Sequence, residues 1–253
     1  MYASLRTNLP KEVMAFPDFA FPKVRHSFLH HTEVTEYLCD YAKHFGILDS
    51  IRFNTSVKSV KAIPRQENGS RALSGTVWKV KVQDLIGGEV AEETFDGVMV
   101  CNGHYSKPLV PEVPGIEQFR GDLTHSHTYR RPSDKKIVDK VVVVLGAAAS
   151  GSDIGLEVAT TAKKVYLSHN LPKKPTQLPS NMEQVAGIAL CTGPKSFQLT
   201  DGDCLDDVDT VMFCTGYEYS FPFLDKSCKA SQKHTFHHSF CRTKTASPII
   251  VFL

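Results

Sequence analysis

The sequence predicts an α/β protein built around a parallel sheet, and three observations predict it. Residues 141–145 are four consecutive valines and a leucine, a short apolar run that does not alternate, as in a strand covered on both faces. A turn of small residues, 146–151, follows, and from Ser152 the apolar side chains Ile154, Leu156, Val158 and Ala159 recur at rough helical spacing. Two further strand-type runs, 95–101 and 208–214, each end in a small-residue turn and share the pattern D-x-V-M-x-C-x-G. Turns at the C-terminal ends of strands are where α/β sheets present ligands, so the two runs are expected to end at one shared ligand face.

The turn Gly146-x-Ala148-x-x-Gly151 has the form of a dinucleotide-binding turn, in which a helix N-terminus aims backbone N–H groups and its positive dipole end at a pyrophosphate. Ala148 stands where a second glycine would let the backbone approach the phosphates, so its methyl group is expected to shift the pocket. A close-packed strand–helix corner without ligand has the same local pattern. The next strand, 164–168, ends on Ser168, His169 and Asn170, where an NAD-specific fold places an acid on the ribose. With Lys163, Lys164, Lys173 and Lys174 nearby, the absence of an acid favours a 2′-phosphate and hence NADP(H), the alternative being a solvated basic surface.

The chain of 253 residues is 42% hydrophobic and 22% charged, enough for one large or two smaller globular domains. A formal charge of +2 with no long basic run gives no footprint for nucleic acid. Seven cysteines, an odd number without C-x-x-C pairs, suit a reducing compartment. There is no signal-peptide pattern and no run of about 18 apolar residues to suggest a transmembrane segment. An intracellular setting is expected, cytoplasmic or peripheral to the endoplasmic reticulum.

Taken in order, residues 1–24 crowd aromatics and prolines into a packed, irregular wall, with Asn8 placed either to cap a turn or to face a cavity. Residues 33–45 carry Val34, Tyr37, Leu38, Tyr41 and Phe45 at helical spacing, with Thr32 as N-cap and Gly46 as stop. Strands are expected at 51–53, 55–63, 76–82 and 89–95, with a hairpin at Gly87-Gly88 and Trp78 as a sheet anchor. The run 95–101 leads to Asn102, Gly103 and His104, of which the first two are candidate cofactor contacts and the histidine is read as structural, the alternative being a catalytic role. A proline-punctuated connector spans 106–115, and short strands are expected at 185–191 and 196–199. The pair His125 and His127 lacks a carboxylate or cysteine at ligand spacing, so no metal is expected there.

Phe119, Gly121, His125 and Tyr129 complete the motif F-x-G-x-x-x-H-x-x-x-Y, accompanied by Ser126 and Arg130. With the turn at 146–151, the A-T-G-Y-like stretch Cys214-Thr215-Gly216-Tyr217 and the segment around Asn8, it makes the sequence resemble the flavin-containing monooxygenases over residues 1–228, in a compact, insect-like form. The resemblance implies two dinucleotide-binding (Rossmann-like) domains, the FAD-binding one incomplete because the family's first glycine-rich turn precedes Met1. It implies a partial FAD-binding domain at 1–137, an NADPH-binding domain at 138–207, a return segment at 208–228 and an atypical, disordered tail at 229–253. In that tail His234, His237, His238 and Cys241 are not expected to hold zinc.

The activity implied is NADPH- and O2-dependent oxygenation of amines or sulfides, of the N,N-dimethylaniline monooxygenase type, through a C4a-hydroperoxyflavin. By motif matching, Asn8 is the catalytic residue that hydrogen-bonds the cofactor region, and Gly146, Ala148, Ser150 and Gly151 cradle NADPH, with Ser168 beyond them. Asn102, Gly103, Thr215 and Gly216 lie on the flavin side. The competing reading is a non-catalytic NADP-binding remnant or interaction protein without the FAD pyrophosphate site. A disulfide reductase of similar architecture would need a redox cysteine pair, and none is suitably spaced. The sequence specifies no oligomeric state.

Overall fold

The computed structural model describes residues 1–23, 25–64, 76–172, 177–228 and 250–252. Its contacts divide the chain into two compact units, Ala42–His104 with Ser220–Leu253, and Met1–Tyr41 with Tyr105–Tyr219.

The first of these is built on an antiparallel meander of β1 (Thr55–Pro64), β2 (Thr76–Asp84) and β3 (Val90–Phe95). Alternation decides which face is covered: Val60 opposite Val80 and the neighbouring Val82 are buried, and Trp78 packs on them, as its place in the pattern predicts. The Gly87-Gly88 hairpin forms where expected, with Gly88 at φ +76°. Residues 51–53 are not a strand: a 3-10 turn at Leu48–Ser50 precedes them, and Asn54 at φ +53° swings the chain into β1. Beyond the meander, β4 (Gly97–Met99) pairs in parallel with Ile250–Phe252. Those three residues are the described part of the expected tail, and the remainder, with His234, His237, His238 and Cys241, lies outside the described residues.

The second unit opens with α1 (Lys11–Met14) and the aromatic wall, then α2 (His31–His44). The helix starts two residues before the expected position, and the cap is not Thr32. Glu33 accepts a hydrogen bond from the His30 N–H at 2.8 Å, which is one half of a capping box. Phe21 stacks on Tyr37 at 3.7 Å between ring centroids, and the Tyr37 hydroxyl donates to the Phe19 carbonyl at 2.6 Å.

Downstream, β5 (Lys107–Pro108), β6 (Asp122–His125), β7 (Val141–Leu145), α3 (Ala149–Val158), β8 (Lys164–Ser168) and β9 (Met182–Val185) precede a small antiparallel sheet of β10 (Ile188–Gly193), β11 (Ser196–Leu199) and β12 (Cys204–Leu205). Last come β13 (Thr210–Phe213) and β14 (Tyr217–Glu218), the latter paired with β5. The principal sheet is parallel throughout, in the order β6-β13-β7-β8-β9. Its two faces explain the valine run. Val142 and Val144 meet Ile154 and Val158 of α3, while Val143 meets Phe197 and Leu199 of the small sheet. The segment 185–191 is therefore two strands in two sheets, broken at Ala186-Gly187, rather than one. Residues 210–213, in the return segment expected at 208–228, sit in this sheet between β6 and β7.

Asp209 fastens the start of β13 to its surroundings. One carboxylate oxygen accepts from Lys195 Nζ at 2.6 Å and the other from the Val141 N–H at 3.1 Å. The Lys195 hydrogen bond, with that of Val141, holds the Asp209 carboxyl below the usual carboxylate range. A depressed folded pKa contributes stability that is present above the unfolded value of about 3.9 and is lost as pH falls through the folded one. Melting temperature should therefore fall more steeply in wild type than in Asp209→Asn between about pH 4 and pH 2; parallel curves would remove Asp209 from the account.

Candidate functional site

The C-terminal edge of the parallel sheet carries the site. β7 ends at Leu145, and Gly146, at φ +107°, turns the chain into α3. A side chain on Gly146 would stand 2.6 Å from the Cys214 carbonyl, and one on Gly151 would stand 1.7 Å from the Gly146 carbonyl. Both glycines are thus demanded by backbone packing, the condition for a turn closed tightly enough to lay a helix end against a phosphate. No side chain caps α3, so the N–H groups of its first turn have no side-chain partner. Ala148 and Ser150 are exposed on this turn, and Ala148 has ordinary extended angles, φ −73° and ψ −175°, so its backbone does not require a glycine. By these features the turn fits a dinucleotide pyrophosphate.

Ser168 does not have the role expected of it. It is fully buried, and its hydroxyl donates to the Ala186 carbonyl at 2.8 Å, so it seals the sheet edge instead of meeting a 2′-phosphate. Removing that hydroxyl leaves a buried carbonyl without its donor. Ser168→Ala should therefore cost about 1–3 kcal/mol of stability in a denaturant melt while leaving the NADP+/NAD+ affinity ratio unchanged. The lysines are also displaced. Lys164 is opposite Val141 at the far end of β8 and pairs with Glu183 at 3.1 Å, about 13 Å along the strand from Ser168. Lys163 precedes it, and Lys173 and Lys174 lie outside the described residues.

Thr215 and Gly216 continue β13 past the same edge. The Thr215 hydroxyl donates to the Leu109 carbonyl at 2.5 Å, and the Gly216 carbonyl accepts from the Leu109 N–H at 2.9 Å. Asn102 and Gly103 are exposed coil in the other unit, Gly103 at φ +67°. The described residues present no second glycine-rich strand–turn–helix for a FAD pyrophosphate.

Asn8 is exposed on a bend and lines a cavity of about 350 Å³ with Tyr2, Ser4, Arg6, Thr7, Phe28 and Asp153. Of its two readings, the cavity-facing one agrees with this position. Tyr2, Arg6 and Asp153 carried no signal in the sequence, since only folding brings residues 2–8 to the first turns of α3.

The motif residues are largely architectural. Phe119 is buried against Phe197 at 5.1 Å, Gly121 lies under the Asp209 carbonyl, His125 ends β6 and Tyr129 is buried in the core beside α3. Burial holds the His125 ring below its usual pKa despite the nearby backbone of Gly216 and Leu109, which keeps it neutral at pH 7. His127 is exposed and packs on Tyr217 at 5.7 Å.

The sequence profile described as "Flavin-binding monooxygenase-like" matches residues 1–173 and 191–243. The chain belongs to that family. The second matched stretch carries the family likeness past residue 228. Among monooxygenase relatives, flavin-containing monooxygenase FMO GS-OX-like 1 of Arabidopsis thaliana is 39% identical over 234 residues, 90% of this chain and 47% of the relative. Two solved structures are similar. S-allyl-L-cysteine S-oxygenase from Allium sativum has a TM-score of 0.76 at 35% identity, covering 90% of this chain and 51% of that one. Tmm from Pelagibacter sp. strain HTCC7211 has a TM-score of 0.77 at 31% identity, covering 90% and 50%. The chain thus spans about half the length of the relatives it matches. FAD and NADPH are the cofactors of the family, and its Rossmann-like architecture is that of the parallel sheet described above.

Proposed function

We propose that this chain forms the NADPH-binding part of a flavin monooxygenase that uses NADPH, FAD and O2 to oxygenate soft nitrogen or sulfur nucleophiles. The observation that carries this reading is the glycine-sealed turn before an uncapped helix, Gly146 to Gly151. In it Gly146, Ala148, Ser150 and Gly151 hold the NADPH pyrophosphate against the helix end. Asn8 offers its amide from the adjoining cavity to the cofactor region. Thr215 and Gly216, and separately Asn102 and Gly103, are the proposed flavin-side contacts. A bound flavin supplies the activation of oxygen, and the chain binds, orients and excludes water. Sulfur is the favoured acceptor because the Allium relative is named for S-oxygenation, with N,N-dimethylaniline-type amines as the other arm. No helix among the described residues is long and apolar enough to cross a membrane.

One observation favours a second reading, an NADP-binding chain without turnover: the described residues supply a single glycine-rich turn. The absorption spectrum of the purified protein after incubation with excess FAD, followed by NADPH oxidation with a sulfide or a tertiary amine, separates the two. Retained flavin bands and oxygen-dependent, substrate-dependent NADPH oxidation support the monooxygenase. Flavin-free protein that still binds NADP+ supports the second reading, and protein that binds neither overturns both.

A further inference from the structure

The walls of the Asn8 cavity come from three places in the sequence, the segment 2–8, Phe28 and Asp153 of α3. Two tyrosines join the first of these to the last. Tyr2 packs on Tyr129 with 5.9 Å between ring centroids and directs its hydroxyl at Asp153 Oδ2, 3.5 Å away. Tyr129, the last residue of the F-x-G-x-x-x-H-x-x-x-Y motif, is buried with its hydroxyl near Glu157, and neither that hydroxyl nor Glu157 Oε2 has a hydrogen-bond partner among the described residues. Asp153 and Glu157 are four residues apart and therefore share one face of α3. The helix that begins at the phosphate turn is thus met at Asp153 by the Tyr2 hydroxyl and, in the core that holds Ile154 and Val158, by the Tyr129 ring.

The rest of the segment is held by backbone. The Ala3 N–H donates to the Arg130 carbonyl at 2.8 Å, next to Tyr129. On the other side the Thr7 N–H donates to the Leu29 carbonyl at 2.8 Å, and the Leu29 N–H donates to the Thr7 hydroxyl at 3.0 Å. Asn8 follows the second clamp on an exposed bend.

We propose that Tyr2 is a positioning residue: its ring, seated on the motif's Tyr129 and against Asp153 of α3, fixes segment 2–8 so that Arg6 and Asn8 face a dinucleotide bound at the Gly146–Gly151 turn. This rests on the proposed NADPH site. It gives the motif's tyrosine a task beyond filling the core, because Tyr129 is the bearing surface that transmits the position of α3 to the cavity wall.

The test combines calorimetric NADP+ binding with amide exchange in the full chain. Tyr2→Ala should weaken NADP+ binding about tenfold, through loss of alignment, while Tyr2→Phe, which keeps the ring contact, stays within about threefold. In Tyr2→Ala the amides of Ala3 and Thr7 should exchange faster while those of β7 and β8 keep their protection. Wild type that binds NADP+ alongside Tyr2→Ala that binds it equally well overturns the proposal. So does Tyr2→Ala that loses protection throughout the sheet, since Tyr2 would then be needed for folding instead of alignment. Wild type that binds no NADP+ sinks the cofactor reading alone, and unchanged exchange at Ala3 and Thr7 then sinks the positioning role as well.

Discussion

Gly151→Ala should abolish measurable dinucleotide binding and lower the melting temperature together. The added Cβ would stand 1.7 Å from the Gly146 carbonyl oxygen and 2.7 Å from its carbon, with the Cys214 side chain behind at 3.4 Å. The two nearest of these neighbours are backbone atoms, which cannot swing aside as a side chain could. Either α3 retreats from the sheet or the turn opens. Overpacking of this kind costs about 3 kcal/mol, which for a chain of this size lowers the melting temperature by about 6–12 °C. Displacing the helix end by an ångström removes the alignment of its N–H groups, an effect of about 100-fold on a ligand held there. Scanning calorimetry and NADP+ titration read both effects. A destabilised variant with intact NADP+ affinity would move the binding site elsewhere.

The second large effect is expected at Gly121, in the middle of the family motif. Here a Cβ would meet the Asp209 carbonyl oxygen at 2.2 Å and the Phe119 ring at 2.4 Å. That same carbonyl accepts from the Asp122 N–H at 2.9 Å, the bond that starts the pairing of β6 with β13. Gly121→Ala therefore has to displace either the strand or the buried Phe119. We expect a loss of about 3 kcal/mol in a chemical denaturation curve. NADP+ affinity should fall less than in Gly151→Ala, because the defect lies at the opposite end of the strands from the turn. Equal stability of the variant and wild type would show that the motif's glycine is not held by this contact.

What was legible in the sequence was local. The valine run, the turn after it, strand 164–168, the Gly87-Gly88 hairpin and the Trp78 anchor each follow from a pattern within a dozen residues, and each forms as expected. The errors came from contacts that no local pattern contains. Ser168 is the residue that closes its strand, and a partner at Ala186 takes its hydroxyl. Helical spacing marked Leu38 and Phe45 for the core, yet they are 49% and 43% exposed, because periodicity gives a face without saying what covers it. Tyr2 and Asp153 are separated by most of the sequence leading to α3, and the cavity they share exists only once residues 2–8 have docked.

The place of β13 between β6 and β7 governs the order in which the chain becomes a stable object. β6 and β7 precede it in sequence, yet neither pairs with the other: β6 finds its neighbour in residues 210–213, and β7, whose other edge pairs with β8, has its remaining edge filled by the same residues. During synthesis β6 and the β13-facing edge of β7 must wait with unpaired N–H and C=O groups while the segment containing α3, β8, β9 and the small sheet is made. A product ending before Thr210 would leave β6 and one edge of the apolar strand β7 unpaired, the condition for pairing with other chains. Ribosome-bound and terminated intermediates of this protein should depend on chaperones up to the point at which β13 emerges, and much less afterwards.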